Sequence, residues 1–263
     1  LLMKSKYLQS NTRGCFKQIA DDLKNGILTL FCGTPCQCNA LRNYIGNSDS
    51  LYLIDLICHG VPSQDLFDKS IKYLENSDHC HVTEFTFRSK YKGVLHPQAF
   101  SYKCTKNGKS KIVNGLHYQF PFYFGFQKHI TLRLSCYKCK WARFERCGDI
   151  TLGDFWGLDR IDHKLDPKTG ISEVIVNTVK GQRLFDEISE SGLIWYKKFK
   201  FRQIENNNEC LQSPTKLTSE RKELFEALQT QPFGVVVKNH LQSKRRYIFD
   251  LYYGMPGLLR KII

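Results

Sequence analysis

The chain has 263 residues, of which 41% are hydrophobic and 24% charged, a composition that is ordinary for a globular protein and excludes wholesale disorder. No apolar run approaches the roughly 20 residues that cross a bilayer, and no charged and then apolar leader opens the chain. We therefore predict a cytoplasmic protein without a transmembrane segment. In that setting the eleven cysteines are interpreted as ligands and buried thiols rather than as a disulfide framework.

The net charge of +14 restricts the partners that the protein can have. It indicates either a solvated, lysine-rich surface or a surface complementary to an acidic partner, such as a ferredoxin-like protein or a phosphorylated cofactor. The basic residues are spread along the chain, and no helix-turn-helix, RRM or zinc-finger spacing is present. Nucleic acid is therefore not a predicted partner.

The first third of the chain alternates apolar strands with amphipathic helices. The spacing of apolar residues and the positions of Gly and Pro predict a helix over 13–25, a strand over 27–31, a helix from Pro35 to about Gly46, a strand over 51–57 and a helix from Pro62 to about Leu74. Strands that are joined by a crossover helix run parallel, so their carboxyl ends lie at the same edge of the sheet.

The remaining elements are predicted from alternation, turn residues and aromatic content. They are a strand over 82–88, a hairpin of 100–104 and 111–113 around Lys106-Asn107-Gly108-Lys109, an aromatic helix over 118–126, strands over 150–152 and 174–179, and helices over 184–188 and 218–228. The aromatic helix is interpreted as core, with a flavin-stacking wall as the alternative. A basic, aromatic tail follows at Lys244-Arg245-Arg246-Tyr247.

These elements predict an α/β fold, with a mixed sheet, consecutive βαβ units and a cysteine-rich cluster loop. We assign residues 1–205 to one domain and 206–263 to a helical, basic C-terminal extension. The chain starts at Leu1 rather than at Met, and an element follows without a lead-in. We interpret it as the C-terminal part of a longer protein.

Four cysteines carry the strongest chemical signal. Cys36 and Cys58 each follow a predicted strand, and Cys136 and Cys139 form a Cys-x-x-Cys pair. Cys36 and Cys58 are expected to be close in space because open α/β sheets form their ligand sites at the carboxyl ends of the strands. If all four sulfurs bind one cubane cluster, they lie within about 6–7 Å of one another.

Spacing alone leaves three interpretations of these cysteines open. An iron–sulfur cluster suits thiolates that are dispersed over strand-terminal loops, whereas zinc sites usually bring two close pairs of ligands. Structural thiols are the third interpretation. Cys36 also suits a nucleophile, because it lies in the first turn of a helix and His59 is a nearby base.

The other cysteines are weaker candidates for ligands. Cys32 ends a buried strand and is interpreted as a small apolar residue. Cys38 and Cys147 are interpreted as buried thiols, with spare ligands as the alternative. The cysteines without a ligand-like context are Cys15, Cys80, Cys104 and Cys210.

Six segments together resemble the coenzyme F420 hydrogenase/dehydrogenase beta subunit family. They are Tyr7-Leu8-Gln9-Ser10, Gly33-Thr34-Pro35-Cys36-Gln37, the run from Asp55 to Ser63, Phe87-Arg88-Ser89-Lys90, Ser135-Cys136-Tyr137-Lys138-Cys139 and the run from Asp149 to Gly157. The resemblance covers most of residues 4–180. Within the family the chain is most similar to bacterial members found with polysaccharide-biosynthesis genes, and the relatives include a plant chlorophyll-derivative reductase.

The resemblance implies a flavin-dependent iron–sulfur oxidoreductase of unknown substrate, in which electrons pass between a [4Fe–4S] cluster and FAD. Cys36, Cys58, Cys136 and Cys139 match the family's shared cysteines and are the predicted cluster ligands. A ferredoxin-like domain or protein is the implied electron partner. The family's glycine-rich flavin segment would lie upstream of Leu1, so we expect this chain alone to retain FAD poorly.

Four further residues are candidate cofactor contacts, and no catalytic residue is assigned. Arg88 and Lys90 suit a pyrophosphate, while Asp154 and Trp156 in a Gly-flanked loop suit close approach to a ring. The alternative is that Asp154 caps a turn and Trp156 is core. For the protein as a whole, the alternative is a non-catalytic, zinc-stapled interaction domain with a basic docking face.

Overall fold

A computed structural model of the chain describes residues 7–91, 94–95, 98–165 and 170–243. Its contacts divide the chain into two compact units. The unit we call the four-stranded unit comprises Gln9–Gly60 and Leu134–Lys216. The unit we call the aromatic unit comprises Leu1–Leu8, Val61–Arg133 and Leu217–Ile263. The predicted boundary between residues 205 and 206 stays a prediction.

The described residues form the following helices and strands. The helices are α1 Cys15–Lys24, α2 Pro35–Ile45, α3 Gln64–Asp78, α4 Pro121–Gln127, α5 Leu158–Ile161, α6 Val179–Glu190, α7 Phe201–Ile204, α8 Ser219–Thr230 and α9 Phe233–His240. The strands are β1 Thr29–Gly33, β2 Leu51–Leu56, β3 His81–Phe87, β4 Lys90–Tyr91, β5 Val94–Leu95, β6 Ala99–Lys106, β7 Lys109–Leu116, β8 Ile150–Asp154 and β9 Ser172–Val176. In the described ranges, no helix is both long enough and apolar enough to cross a membrane.

The sheet of the four-stranded unit has the order β1-β2-β8-β9. β1, β2 and β8 are parallel, with Gly33 opposite Asp55 and Asp55 opposite Thr151, while β9 runs antiparallel to β8. This arrangement confirms the predicted α/β fold with a mixed sheet, and β1-α2-β2 is the predicted crossover unit. The carboxyl ends of three neighbouring strands therefore share one edge.

One face of this sheet is covered by α1 and α2. The apolar side chains that recur at helical spacing pack onto alternate residues of β1 and β2, which explains why this stretch folds as two helices and two strands. The buried cluster consists of Ile19, Phe31, Cys38, Leu41, Leu51, Leu53 and Cys147. Each fully buried Leu contributes about 2 kcal/mol to the free energy of unfolding.

The aromatic unit contains an antiparallel sheet of order β3-β6-β7. The predicted hairpin is confirmed: Asn107 and Gly108 have positive φ angles of 49° and 73°, the backbone of a two-residue turn that joins twisted strands. The aromatic stretch is core, as predicted, because Phe120, Phe122 and Tyr123 are 0% exposed.

Three predictions differ from the structure or cannot be compared with it. The expectation that the cysteines do not form disulfides is wrong for Cys80 and Cys104, which are bonded across 24 residues of sequence. Helix α9 was not predicted, since Pro232 and Gly234 at its N-terminus are residues that usually interrupt helices. The basic tail at residues 244–247 lies outside the described residues.

Candidate functional site

The candidate site lies at the carboxyl edge of the parallel strands in the four-stranded unit. Cys36 lies in the first turn of α2, directly after β1, and Cys58 lies two residues beyond the end of β2. Asp154 ends β8. The predicted parallel pairing of β1 and β2 is confirmed, so the two cysteines share one sheet edge.

Cys36 is exposed and is surrounded by polar groups. The Thr34 hydroxyl lies 3.1 Å from its sulfur, and the Gln9 amide donates to the same sulfur at 3.7 Å. Gln37 fixes this turn, because its side-chain oxygen accepts the Thr34 backbone N–H at 3.1 Å. The Cys36 thiol is therefore exposed in the first turn of α2, with the side chains of Thr34 and Gln9 beside it.

Cys58 is influenced electrostatically by the other three predicted ligands. Burial raises the pKa of its thiol to about 12, a hydrogen bond from the Gly60 backbone opposes that change, and the charges of Cys136, Cys36 and Cys139 raise the pKa further. Cys136 lies in the short helical turn Leu134–Lys138, and Cys136 and Cys139 are both partly buried. The four thiols thus lie near enough for the charges of three to act on the fourth.

The four predicted ligands are all cysteine thiols. Across residues 7–91, 94–95, 98–165 and 170–243, no group of three or more His, Cys, Asp or Glu is arranged to hold a metal ion. A cubane needs wider spacing, since its ligand sulfurs lie about 6–7 Å apart. Four cysteine thiolates ligate [4Fe–4S] clusters and also structural zinc ions, so this donor set is compatible with both. Ligation by these residues stays a prediction.

A buried ion pair that the sequence analysis missed joins the two cysteine-bearing segments. Arg146 and Asp55 are 1% and 0% exposed, and Nη2 of Arg146 lies 2.9 Å from Oδ1 of Asp55. The same carboxylate accepts from the Thr151 hydroxyl at 2.7 Å and from the Gly148 backbone at 2.9 Å. A charged residue within the otherwise apolar run of β2 was the signal that could have found this pair.

Three cysteines outside the predicted ligand set have defined surroundings. The Cys38 thiol donates to the Ile54 carbonyl at 3.4 Å and that of Cys147 to the Pro35 carbonyl at 3.0 Å, so both are buried thiols. The Cys210 sulfur lies 3.5 Å from Nδ1 of His59. Burial raises the pKa of Cys210, and a hydrogen bond with Thr215 opposes that change.

The predicted cofactor contacts fall in both units. In the aromatic unit, Arg88 has a positive φ of 52° and donates to the Tyr7 hydroxyl at 3.1 Å, and Lys90 is the first residue of β4. In the four-stranded unit, Asp154 is the last residue of β8 and Trp156 lies two residues later. β8 is parallel to β2, so this end of β8 is at the same sheet edge as Cys58. Trp156 is 42% exposed, so the alternative that it belongs to the core is wrong.

Gly153 explains how close the loops after β2 and β8 lie. A side chain at Gly153 would come within 2.4 Å of the Ile57 side chain, and the Ile57 backbone N–H donates to the Leu152 carbonyl at 2.9 Å. Only glycine allows the residue before Cys58 to rest on the end of β8. Ile57 therefore lies against the strand whose last residue is Asp154.

A family model for the C terminus of the coenzyme F420 hydrogenase/dehydrogenase beta subunit matches residues 28–201. The match covers more than half of the chain. The chain belongs to this family. All four candidate cysteines and the Asp55–Arg146 pair of this F420 hydrogenase beta subunit family member lie within the matched residues. No curated protein matches the chain.

Proposed function

We propose that this chain is the electron-transfer domain of a flavin-dependent iron–sulfur oxidoreductase and that Cys36, Cys58, Cys136 and Cys139 hold a [4Fe–4S] cluster. Family membership supports the coarser statement, an oxidoreductase-related electron-transfer domain. The observation that supports the cluster is the parallel pairing of β1 and β2, which puts Cys36 and Cys58 at one sheet edge of the unit that also contains the Cys136–Cys139 segment. Such a cluster takes up and releases one electron.

The residues around the thiols have defined tasks under this proposal. The Thr34 hydroxyl and the Gln9 amide contact the Cys36 sulfur, and hydrogen bonds to a ligand sulfur favour the reduced cluster. The Gly60 backbone contributes in the same way at Cys58. The apolar packing of α1 and α2 beneath the sheet keeps the Cys36 turn fixed.

The proposal extends to FAD, to partners and to the type of enzyme. Trp156 is 42% exposed and follows the strand beside that of Cys58, and we propose that it contacts the flavin ring. Arg88 and Lys90 remain the candidates for pyrophosphate contacts.

A ferredoxin-like electron partner with an acidic surface suits the net charge of +14. We also propose that the protein is cytoplasmic and of the polysaccharide-associated bacterial type.

The visible spectrum of the protein after anaerobic purification tests the cluster. We expect a broad band at about 400 nm that bleaches with dithionite, together with about four iron atoms per chain. A colourless protein that contains one zinc ion would overturn the proposal and support the zinc-stapled interaction domain instead. Bound FAD, measured after acid release, tests the flavin separately from the iron.

Serine variants then test the ligands one by one. Replacing any one of the four ligands Cys36, Cys58, Cys136 and Cys139 with Ser is expected to lower the iron content, because serine is a poor ligand for this cluster. Cys15→Ser, in the first turn of α1, is the matched control and should leave the iron content unchanged. Equal iron in all of these variants would contradict the ligand assignment. The charge of Cys139 contributes to raising the pKa of Cys210. The iron content of Cys210→Ser therefore shows whether Cys210 also contributes to iron binding.

A further inference from the structure

Arg146 links the two segments that carry the predicted ligands. Its guanidinium donates to the Trp141 carbonyl at 2.9 Å and to the Arg143 carbonyl at 3.4 Å, both within the loop that follows Cys139. It also donates to the Leu56 carbonyl at 3.0 Å, two residues before Cys58. One side chain thus bonds to both segments.

Asp55 fixes the other end of the same loop. Its Oδ2 accepts from the Gly148 backbone at 2.9 Å and from the Cys147 thiol at 3.3 Å. A side chain at Gly148 would come within 2.7 Å of the Asp55 backbone nitrogen, so the loop passes against β2 with no space between them. The C-terminal end of the loop is therefore bonded directly to β2, and Arg146 joins that end to the Trp141 and Arg143 carbonyls nearer to Cys139.

The arrangement requires an arginine rather than any cation. The planar guanidinium has five donors in a fixed fork and can bond to several acceptors at once, whereas an ammonium group is a compact charge on a flexible stem. The charge is fully buried, and an unpaired charge at such a position is strongly unfavourable. The pair therefore has one stable arrangement, which determines where the loop lies.

We propose that Arg146, paired with Asp55, is the positioning residue that holds the Cys136–Cys139 segment within reach of Cys58. Neither residue is a ligand. The inference rests on the proposed function only where it concerns the cluster, since the distance between the thiols can be measured on the metal-free chain. Residues that orient ligands from outside the ligand set affect metal affinity by about 10-fold to 100-fold.

The test is crosslinking of the full, metal-free, reduced chain with a short bis-alkylating reagent, followed by mass mapping of the peptides that contain Cys58 and Cys139. We expect the crosslink in the unmodified chain and its loss in Arg146→Lys. Arg143→Lys is the matched control, because it changes an arginine of the same loop whose side chain is 53% exposed, and it should keep the crosslink. The affinity for iron, measured by chelator competition after reconstitution, is expected to fall by about 10-fold to 100-fold in Arg146→Lys alone.

A double variant without either charge distinguishes a loss of loop position from a loss of folding. The double variant Asp55→Asn, Arg146→Met leaves no charge at the position of the pair and is expected to fold, as judged by circular dichroism, yet to lose the crosslink. A folded Arg146→Lys or double variant that keeps the crosslink overturns the inference, as does an unmodified chain that never gives it. An Arg146-dependent crosslink in a chain that takes up no iron would support the inference and overturn the proposed cluster.

Discussion

Glu173 makes the electrostatics of the sheet edge testable without a cofactor. This glutamate of β9 lies opposite Gly153 and is 2% exposed. Its Oε2 accepts from the Asn208 amide at 2.7 Å, whereas its Oε1 has no hydrogen-bond partner among the described residues. Burial raises the pKa of this carboxyl from 4.5 to about 7, and the Asn208 hydrogen bond only partly opposes that change.

The direction of the pH dependence follows from this pKa. The unfolded chain ionises Glu173 near its ordinary pKa, while the folded protein keeps the proton until about pH 7, so ionisation favours unfolding. The stabilising contribution is fully present below the unfolded pKa and is lost as the pH rises through the folded pKa. A difference of this size corresponds to about 3 kcal/mol of the free energy of unfolding at pH 8.

Replacing Glu173 with Gln removes the titration and keeps the hydrogen bond to Asn208. We expect the stability advantage of Glu173→Gln over the unmodified protein to grow by about 1 kcal/mol between pH 6 and pH 8. Urea unfolding of the metal-free chain across this range measures it. Glu223→Gln, at an exposed position of α8, is the matched control. Parallel stability profiles for Glu173→Gln and the unmodified protein would refute the buried, protonated carboxyl.

Three further changes test the fold. Gly108→Ala should lower the free energy of unfolding by about 1 kcal/mol, because the φ of 73° at this hairpin position is unfavourable for alanine even though there is space for its side chain. An unchanged urea midpoint would contradict this turn. Cys80→Ser should lower the free energy of unfolding by about 3 kcal/mol, since the disulfide to Cys104 closes a loop of 24 residues. Alkylation of all eleven cysteines in the absence of reductant would argue against this bond. Thr178→Val should cost about 1–2 kcal/mol in thermal or urea unfolding, because Thr178 caps α6 and donates to Asp149 at 2.8 Å; no loss would show that the cap is dispensable.

The βαβ half of the fold could be predicted because its signals are local. The helix that begins at Pro35 and the hairpin at Asn107-Gly108 are specified by the turn chemistry of a few neighbouring residues. The order β1-β2-β8-β9 is different in kind, since β8 pairs with β2 across nearly 100 residues of sequence and no local pattern specifies that choice. The Cys80–Cys104 bond was missed for the same reason, because β3 must first pair with β6 to bring the two sulfurs together.

In the candidate site, too, the features that depend on local sequence could be predicted and those that depend on distant residues could not. Residue type and strand position were enough to single out Cys36 and Cys58, because thiols after two parallel strands can only lie at one edge. What holds the Cys136–Cys139 segment was not predictable, since the partner of Arg146 is 91 residues away and buried. An aspartate inside an apolar strand is nevertheless costly unless it is paired, so Asp55 required a cation from somewhere in the chain. Charge neutralisation predicts that Asp55 has a cationic partner, but with 39 lysines and arginines in the chain only the fold identifies that partner as Arg146.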